Sequence, residues 1–297
     1  MRVGIVDLGG NTARLLVAEL GPHGLERVLT ERVVLGLGAA IERTGRISKP
    51  RLAVAEATVA SMVARAYATG CDRVEVLVTS PGRQSKNRAA LERALRSAGP
   101  KRVRFVTAEV EASLAYTGAV ACTPTGQGIV AVCDVGGGST EIAVGSPAGT
   151  PSWCRSLDVG SLRLTRRYFR RSRPRDGEIA ASRTAVRDAL AGLAPAAPAA
   201  TQALTSGGTA RALWRLVGPT LGQDELDEAL DILRRTQPGK LSRRFDLAPW
   251  RAEVLAGGTV ILSEIQALLG VPLTVADGGL REGAALQLLG VETAVAA

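Results

Sequence analysis

Apolar and polar positions follow two rhythms along this chain: short β-type runs closed by Gly, Asn, Pro or Ser, and longer stretches in which apolar residues recur every three to four positions. Residues 3–18 (VGIVDLGGNTARLLVA) read as strand, turn and returning strand, and residues 129–144 (IVAVCDVGGGSTEIAV) repeat that order. Residues 25–37 extend the first hairpin, residues 74–79 and 103–106 read as buried strands, and residues 49–69 carry the helical spacing through Leu52, Val59, Met62, Val63 and Ala66. A helix is predicted over 85–95, and another over 109–120 joins the first half of the chain to the second. Further helices are expected over 178–193, 210–217, 225–235, 249–269 and 284–289, a loop or short linker over 194–200, and strands at 203–206 and 271–275. Strand and helix alternate throughout, so the class is α/β with partly parallel sheets.

Each hairpin brings an aspartate, Asp7 or Asp134, to the end of an apolar strand and then turns on glycines. Glycines free successive backbone N–H groups to converge on an anion, and a carboxylate at a strand end can hold a divalent cation against it. A flexible hairpin is the plainer alternative for either segment alone. Two such turns at the heads of two halves predict a duplicated fold whose halves close on one phosphate chain from opposite sides. The boundaries are 1–118 and 119–297, with the last helix, about 284–297, packing back on the first domain. Residues 203–209 (ALTSGGT) repeat the strand and glycine turn, and Gly207 and Gly208 at a helix start suit either an anion or a tight packing turn.

Composition narrows the chemistry. The single histidine, His23, lies in a Gly-Pro-His-Gly turn, which argues against a Ser-His-Asp triad and a multi-histidine metal site, and the four cysteines form no C-x-x-C pair. Catalysis must therefore use carboxylates, hydroxyls, backbone N–H groups and arginines. A net charge of +9 points to an anionic partner, while 3% aromatic residues argue against nucleic-acid bases as that partner. The arginine-rich stretch 163–175 reads as a solvated helix end and loop, with a polyanion track as the alternative. No apolar run approaches the roughly 18 residues of a membrane span, so a cytoplasmic protein without membrane contact is expected.

In chain order, the segments 7–12 (DLGGNT), 79–83 (TSPGR), 107–112 (TAEVEA), 134–141 (DVGGGSTE), 206–209 (SGGT) and 277–283 (DGGLREG) resemble the exopolyphosphatase and guanosine pentaphosphate phosphohydrolase family. The resemblance implies the duplicated actin-like, ribonuclease H-like architecture with an interdomain cleft. It also implies magnesium-dependent release of a terminal phosphate from inorganic polyphosphate or of the 5′ γ-phosphate from guanosine pentaphosphate. Glu111 matches the catalytic glutamate that activates water, Arg83 a cleft arginine, and Glu141 a residue shared between water and metal. Asp7 and Asp134 match the metal positions. Asn11, Gly136, Gly137, Gly138, Ser139, Thr140, Gly207, Gly208 and Thr209 match the phosphate-binding turns. Three departures stand out: Gly10 replaces a usual serine, Val110 the first of two adjacent glutamates, and Arg166 a common glutamate. They leave open a non-catalytic polyphosphate or alarmone regulator, and the superfold leaves open an ATP-using relative. A homodimer is compatible with the sequence.

Overall fold

The computed structural model describes residues 1–193 and 198–291. Its first half comprises β1 (Arg2–Leu8), β2 (Thr12–Gly21), β3 (Gly24–Val34), α1 (Leu37–Thr44), α2 (Lys49–Ala68), β4 (Arg73–Val78), α3 (Ser80–Gln84), α4 (Arg88–Ser97) and β5 (Arg102–Phe105). After α5 (Ala108–Cys122) come β6 (Val130–Val135), β7 (Thr140–Gly145), β8 (Trp153–Leu157), α6 (Ser161–Tyr168), α7 (Asp176–Ala191), β9 (Gln202–Ser206) and α8 (Gly207–Val217). The chain then runs through β10 (Thr220–Leu221), α9 (Gln223–Arg235), α10 (Pro238–Arg244), α11 (Pro249–Leu269), β11 (Leu273–Val275) and α12 (Leu280–Leu288).

The first sheet has the order β3-β2-β1-β4-β5 and the second β10-β11-β9-β6-β7-β8. In each, an antiparallel meander (β1-β2-β3, β6-β7-β8) continues into parallel strands (β4 and β5, β9 and β11). Apart from the edge strand β10 the two orders coincide strand for strand. That is the duplicated actin-like architecture, built as two α/β halves.

Strand pleating decides what each face carries. On β1, Val6 and Leu8 bury against Val59 and Met62 of α2, whereas Val3 and Ile5 bury against Leu280 and Ala284 of α12. On β6, Ala131 and Cys133 face the core that contains α11, whereas Val130 and Val132 face Ala112 and Tyr116 of α5. By the same alternation Asp7 continues the α12 face and Asp134 the α5 face. Helix α5 therefore lies on the second sheet and α12 on the first, and the expected boundary at 118 falls inside α5. The two helices touch through glycines: a Cβ on Gly118 would overlap the Gly279 carbonyl oxygen, and one on Gly283 the Leu114 carbonyl oxygen.

Several local expectations are corrected. The strand expected to run to residue 37 ends at Val34, because Gly36, at φ +62°, turns the chain into α1, which begins at Leu37. The strand expected over 74–79 gives way at Ser80 to the short α3, with Pro81 in its first turn, and the next helix begins at Arg88, not Ser85. α12 starts at Leu280, which places Arg281 and Glu282 in its first turn. α11 is long and apolar enough to cross a membrane, with a mean hydropathy of 1.4 over its best window, contrary to the expectation that no run approaches that length. That window is 72% buried inside the protein, so α11 is a core helix. Residues 194–197 of the predicted linker and 292–297 of the predicted last helix lie outside the described residues.

Candidate active site

The hairpin registers aim the functional side chains. Asp7 pairs with Arg14 across β1 and β2, and Asp134 with Glu141 across β6 and β7. Directly paired residues share one face of a sheet. Both pairs line one cleft between the halves, together with Gly9, Asn11, Glu111, Gly136, Gly137, Ser139, Gly207 and Gly208. Among the expected phosphate residues, three stand apart. Thr140 is fully buried and donates its hydroxyl to the Val159 carbonyl at 2.5 Å. Thr209 is fully buried and accepts from Arg251 Nη1 at 3.3 Å. Gly138 packs against the side chain of Gln84.

Glu111 sits at the start of α5, where the Thr107 hydroxyl caps the helix by accepting from the Val110 N–H at 3.3 Å. Arg83, on α3, reaches Glu111 Oε2 with Nη1 at 2.5 Å and Glu141 Oε1 with Nη2 at 3.4 Å. Ser139 Oγ lies 3.5 Å from the same Nη2, and Ser156 Oγ donates to Glu141 Oε1 at 2.9 Å. One guanidinium thus joins a carboxylate of α5 to a carboxylate of β7. Of the departures, Val110 is exposed and does not line the cleft. At Gly10 a Cβ would stand 3.2 Å from Ser80 Oγ, so a hydroxyl remains beside that place and lines the cleft.

The acids here are held reluctantly. Burial pushes Glu111 well above the usual carboxylate range, and Glu141 adds to this while Arg83 opposes it. Burial, with Asp134 nearby, raises Glu141 to about 7. Asp7 rises to about 6, again by burial first, and Asp134 is raised for the same reason, with Arg14 opposing both. Opposite stand arginines the sequence reading did not single out. Burial lowers Arg14 to about 10 and Arg251 to about 9, with Arg281 next to the first and Arg14 next to the second adding to the effect. A Cβ on Gly208 would overlap Arg251 Nη2 and lie 3.2 Å from Arg14 Nη2, so the glycine at the start of α8 makes room for both guanidinium groups. Arg211, Arg281, Glu282 and Trp250 complete this wall. Burial opposes ionisation of Glu282, but Arg281 and Arg27 outweigh it and hold this carboxyl below its ordinary range. Arg14 was discoverable by following the period of two from Asp7 across the turn; Arg251, on a helix far along the chain, had no local signal.

Among the described residues, no three His, Cys, Asp or Glu side chains gather as a metal-binding group. Asp7 and Asp134 nevertheless fit a magnesium ion shared with a substrate. Asp7 Oδ1 is buried without a hydrogen-bond partner, and magnesium is commonly held by one or two carboxylates plus phosphate oxygens and water. Glu141 is engaged by Ser156 and Arg83.

A duplicated actin-like fold with carboxylates, glycine turns and arginines facing one cleft defines a phosphoryl-group-handling protein. Residues 16–292 match the Ppx/GppA phosphatase family, and the chain belongs to that family. It is 29% identical to exopolyphosphatase 2 of Mycobacterium tuberculosis, over 97% of this chain and 99% of that protein. The crystal structure of an Aquifex aeolicus member of the Ppx/GppA family superposes with a TM-score of 0.82 at 25% identity, covering 97% of each chain. Guanosine-5′-triphosphate,3′-diphosphate pyrophosphatase of Vibrio atlanticus is 25% identical over 96% of this chain and 58% of its own length.

Proposed function

We propose that this protein is a phosphoanhydride hydrolase that releases the terminal phosphate of inorganic polyphosphate or the 5′ γ-phosphate of guanosine pentaphosphate. The observation that carries the reading is the Glu111–Arg83–Glu141 constellation, closed across the two halves of the cleft at 2.5 Å and 3.4 Å. Family membership and the named relatives support the same chemistry.

Glu111 takes the proton of the attacking water. Its carboxylate is raised toward neutrality, as suits a general base, and such a group is worth about 10² to 10⁴ in rate. Glu141, fixed by Ser156, orients that water from the second half. Arg83 holds both acids and offers its guanidinium to the charge developing on the transferred group. Backbone N–H groups of the glycine turns at 9–11, 136–138 and 207–208 cradle the phosphates, with Asn11 and Ser139 as side-chain donors. Asp7 and Asp134 would hold magnesium, which when bound neutralises phosphate charge. Arg14 and Arg251 receive the next phosphates.

The test is phosphate release from tripolyphosphate, long-chain polyphosphate, guanosine pentaphosphate and ATP, with and without magnesium, by wild type and Glu111→Gln. Magnesium-dependent release from polyphosphate or guanosine pentaphosphate, reduced about 10²-fold or more in the variant, is expected. Release from neither substrate, a preference for ATP, or full activity of a folded Glu111→Gln would overturn the reading.

A further inference from the structure

The glycine turn at 9–11 is wedged between two short helices. From α1 and the residues before it, the Gly38 N–H donates to the Gly10 carbonyl, and the Leu35 and Gly36 N–H groups donate to the Asn11 carbonyl at 2.8 Å and 3.0 Å. On the other side stands the start of α3, tied to the end of β1 by Thr79, whose N–H and hydroxyl both donate to the Leu8 carbonyl, at 3.2 Å and 3.3 Å. The first residue of α3, Ser80, is thereby held against the turn: a Cβ on Gly10 would stand 3.2 Å from Ser80 Oγ.

Ser80 is only 6% exposed, and it lines the cleft beside Gly9, Gly10 and Glu111. Its hydroxyl is nevertheless unused by the protein. Among the described residues, the side-chain hydrogen bonds of segment 79–84 come from Thr79, Arg83 and Gln84, and none involves Ser80. A hydroxyl drawn out of bulk water without a partner is unfavourable until something in the cleft supplies one. Ser80 also stands three positions before Arg83, a spacing that puts both on one face of α3. Arg83 directs its guanidinium at Glu111 and Glu141, so the free hydroxyl shares its helix face with the group at the reactive end.

We infer that Ser80 is a substrate-binding residue whose hydroxyl donates a hydrogen bond to a non-bridging oxygen of the terminal phosphate, in the corner that Gly10, lacking a side chain, leaves open. The inference rests on the hydrolase reading above and adds a residue to that site. A hydroxyl carried by residue 10 would reach the same corner, so the Gly10 departure relocates a donor instead of removing one. The donor then comes from α3, the helix that also carries Arg83, and the two groups approach the terminal phosphate as a unit.

Phosphate release from tripolyphosphate and guanosine pentaphosphate, with equilibrium titration of tripolyphosphate, tests this for wild type, Ser80→Ala and the swap Gly10→Ser/Ser80→Ala, thermal melts confirming that each is folded. One hydrogen bond to a charged group lost corresponds to about tenfold or more. In Ser80→Ala, kcat/KM should therefore fall about tenfold for both substrates alike, since each presents a terminal phosphate to the same corner. Removing the Ser80 hydroxyl clears the space that a side chain on residue 10 needs, so the swap should recover most of the loss. A residue that only shapes α3 would act through Arg83: the acid limb of the pH–rate profile, set by Glu111 beside that arginine, would move, and a hydroxyl on residue 10 would restore nothing. A moved limb, a swap without recovery, or an unchanged kcat/KM in Ser80→Ala would overturn the proposal. A wild type that releases no phosphate from either substrate removes the hydrolase reading, and tripolyphosphate affinity then decides on Ser80 separately: loss in Ser80→Ala with recovery in the swap upholds the contact, and equal affinities overturn it.

Discussion

Asp7→Asn is expected to stabilise the protein at alkaline pH while abolishing hydrolysis. In the unfolded chain an aspartate titrates near 3.9, whereas in the cleft burial lifts Asp7 to about 6. Between those values the folded protein retains a proton that the unfolded chain has lost. Stability contributed by this group is therefore present in acid, falls as pH rises through the window, and is fully lost above the folded pKa. Two pH units correspond to about 3 kcal/mol. Asp7 lines a cleft that water reaches, and screening there reduces the expected figure to about 1–2 kcal/mol. Asparagine carries no charge and escapes the penalty. Urea unfolding in the presence of EDTA, at pH 4.5 and pH 8, measures the difference directly. Little difference between variant and wild type is expected in acid, and an advantage of about 1–2 kcal/mol for the variant at alkaline pH. A pH-independent difference, or a variant that loses ground as pH rises, would refute the reasoning.

Arg83→Ala should move the acid limb of the pH–rate profile to higher pH: Glu111 acts as a base only when ionised, and the guanidinium opposes the rise that burial imposes on it. Arg83→Lys should restore part of the shift, and an unmoved limb in either variant would disconnect the two groups. Gly118→Ala places a methyl group on the Gly279 carbonyl oxygen and the Gly283 nitrogen, forcing α5 from α12. A loss of about 1–3 kcal/mol is expected, read as a lower denaturant midpoint; an unchanged midpoint would mean that the helices have slack.

What the sequence made legible was whatever has a short period. The apolar runs of β1, β2, β6 and β7 are nearly continuous and bounded by glycine turns, so both hairpins and their aspartates could be placed without coordinates. α2, α5 and α11 announced themselves by length and spacing. The misses have physical causes. α3 is five residues long and contains Pro81 and Gly82, so propensity alone argues for a turn; burial of Ser80, Pro81 and Gly82 overrides it. α12 was read as starting late because Gly278 and Gly279 look like part of a loop, whereas a Cβ on Gly278 would overlap the Gly118 carbonyl oxygen, so that glycine is what lets the start of α12 approach α5. The arginine wall was hidden for a different reason. Arg14, Arg211, Arg251 and Arg281 come from β2, α8, α11 and α12, and only the closing of two sheets on each other brings them together.

That convergence ties the fold to the chemistry. Arg83 belongs to α3 of the first half, while Glu111 lies on α5, which packs on the second sheet, and Glu141 and Ser139 belong to β7 and the turn before it, so the reactive end is complete only when both halves are apposed. On the outer side Arg163 of α6 reaches Glu42 of α1 at 2.6 Å, Arg166 donates to the Ala39 carbonyl at 3.3 Å, and Gln84 reaches Asp158 at 3.3 Å. The substitution that puts arginine at position 166 thus adds a link between the halves. These links are polar and partly exposed, each worth about 1 kcal/mol or less, whereas α5 and α12 pack through their backbones. The cleft is consequently firm along the α5–α12 seam and lightly held at its α1–α6 edge. Its buried charges include four carboxylates held above their ordinary range, Asp7, Glu111, Asp134 and Glu141, and two arginines held below theirs, Arg14 and Arg251; under the hydrolase reading a phosphate chain with its cation would meet both sets. On that reading, binding such a ligand would relieve the electrostatic strain of both halves at once, through the same groups proposed to position the terminal phosphate.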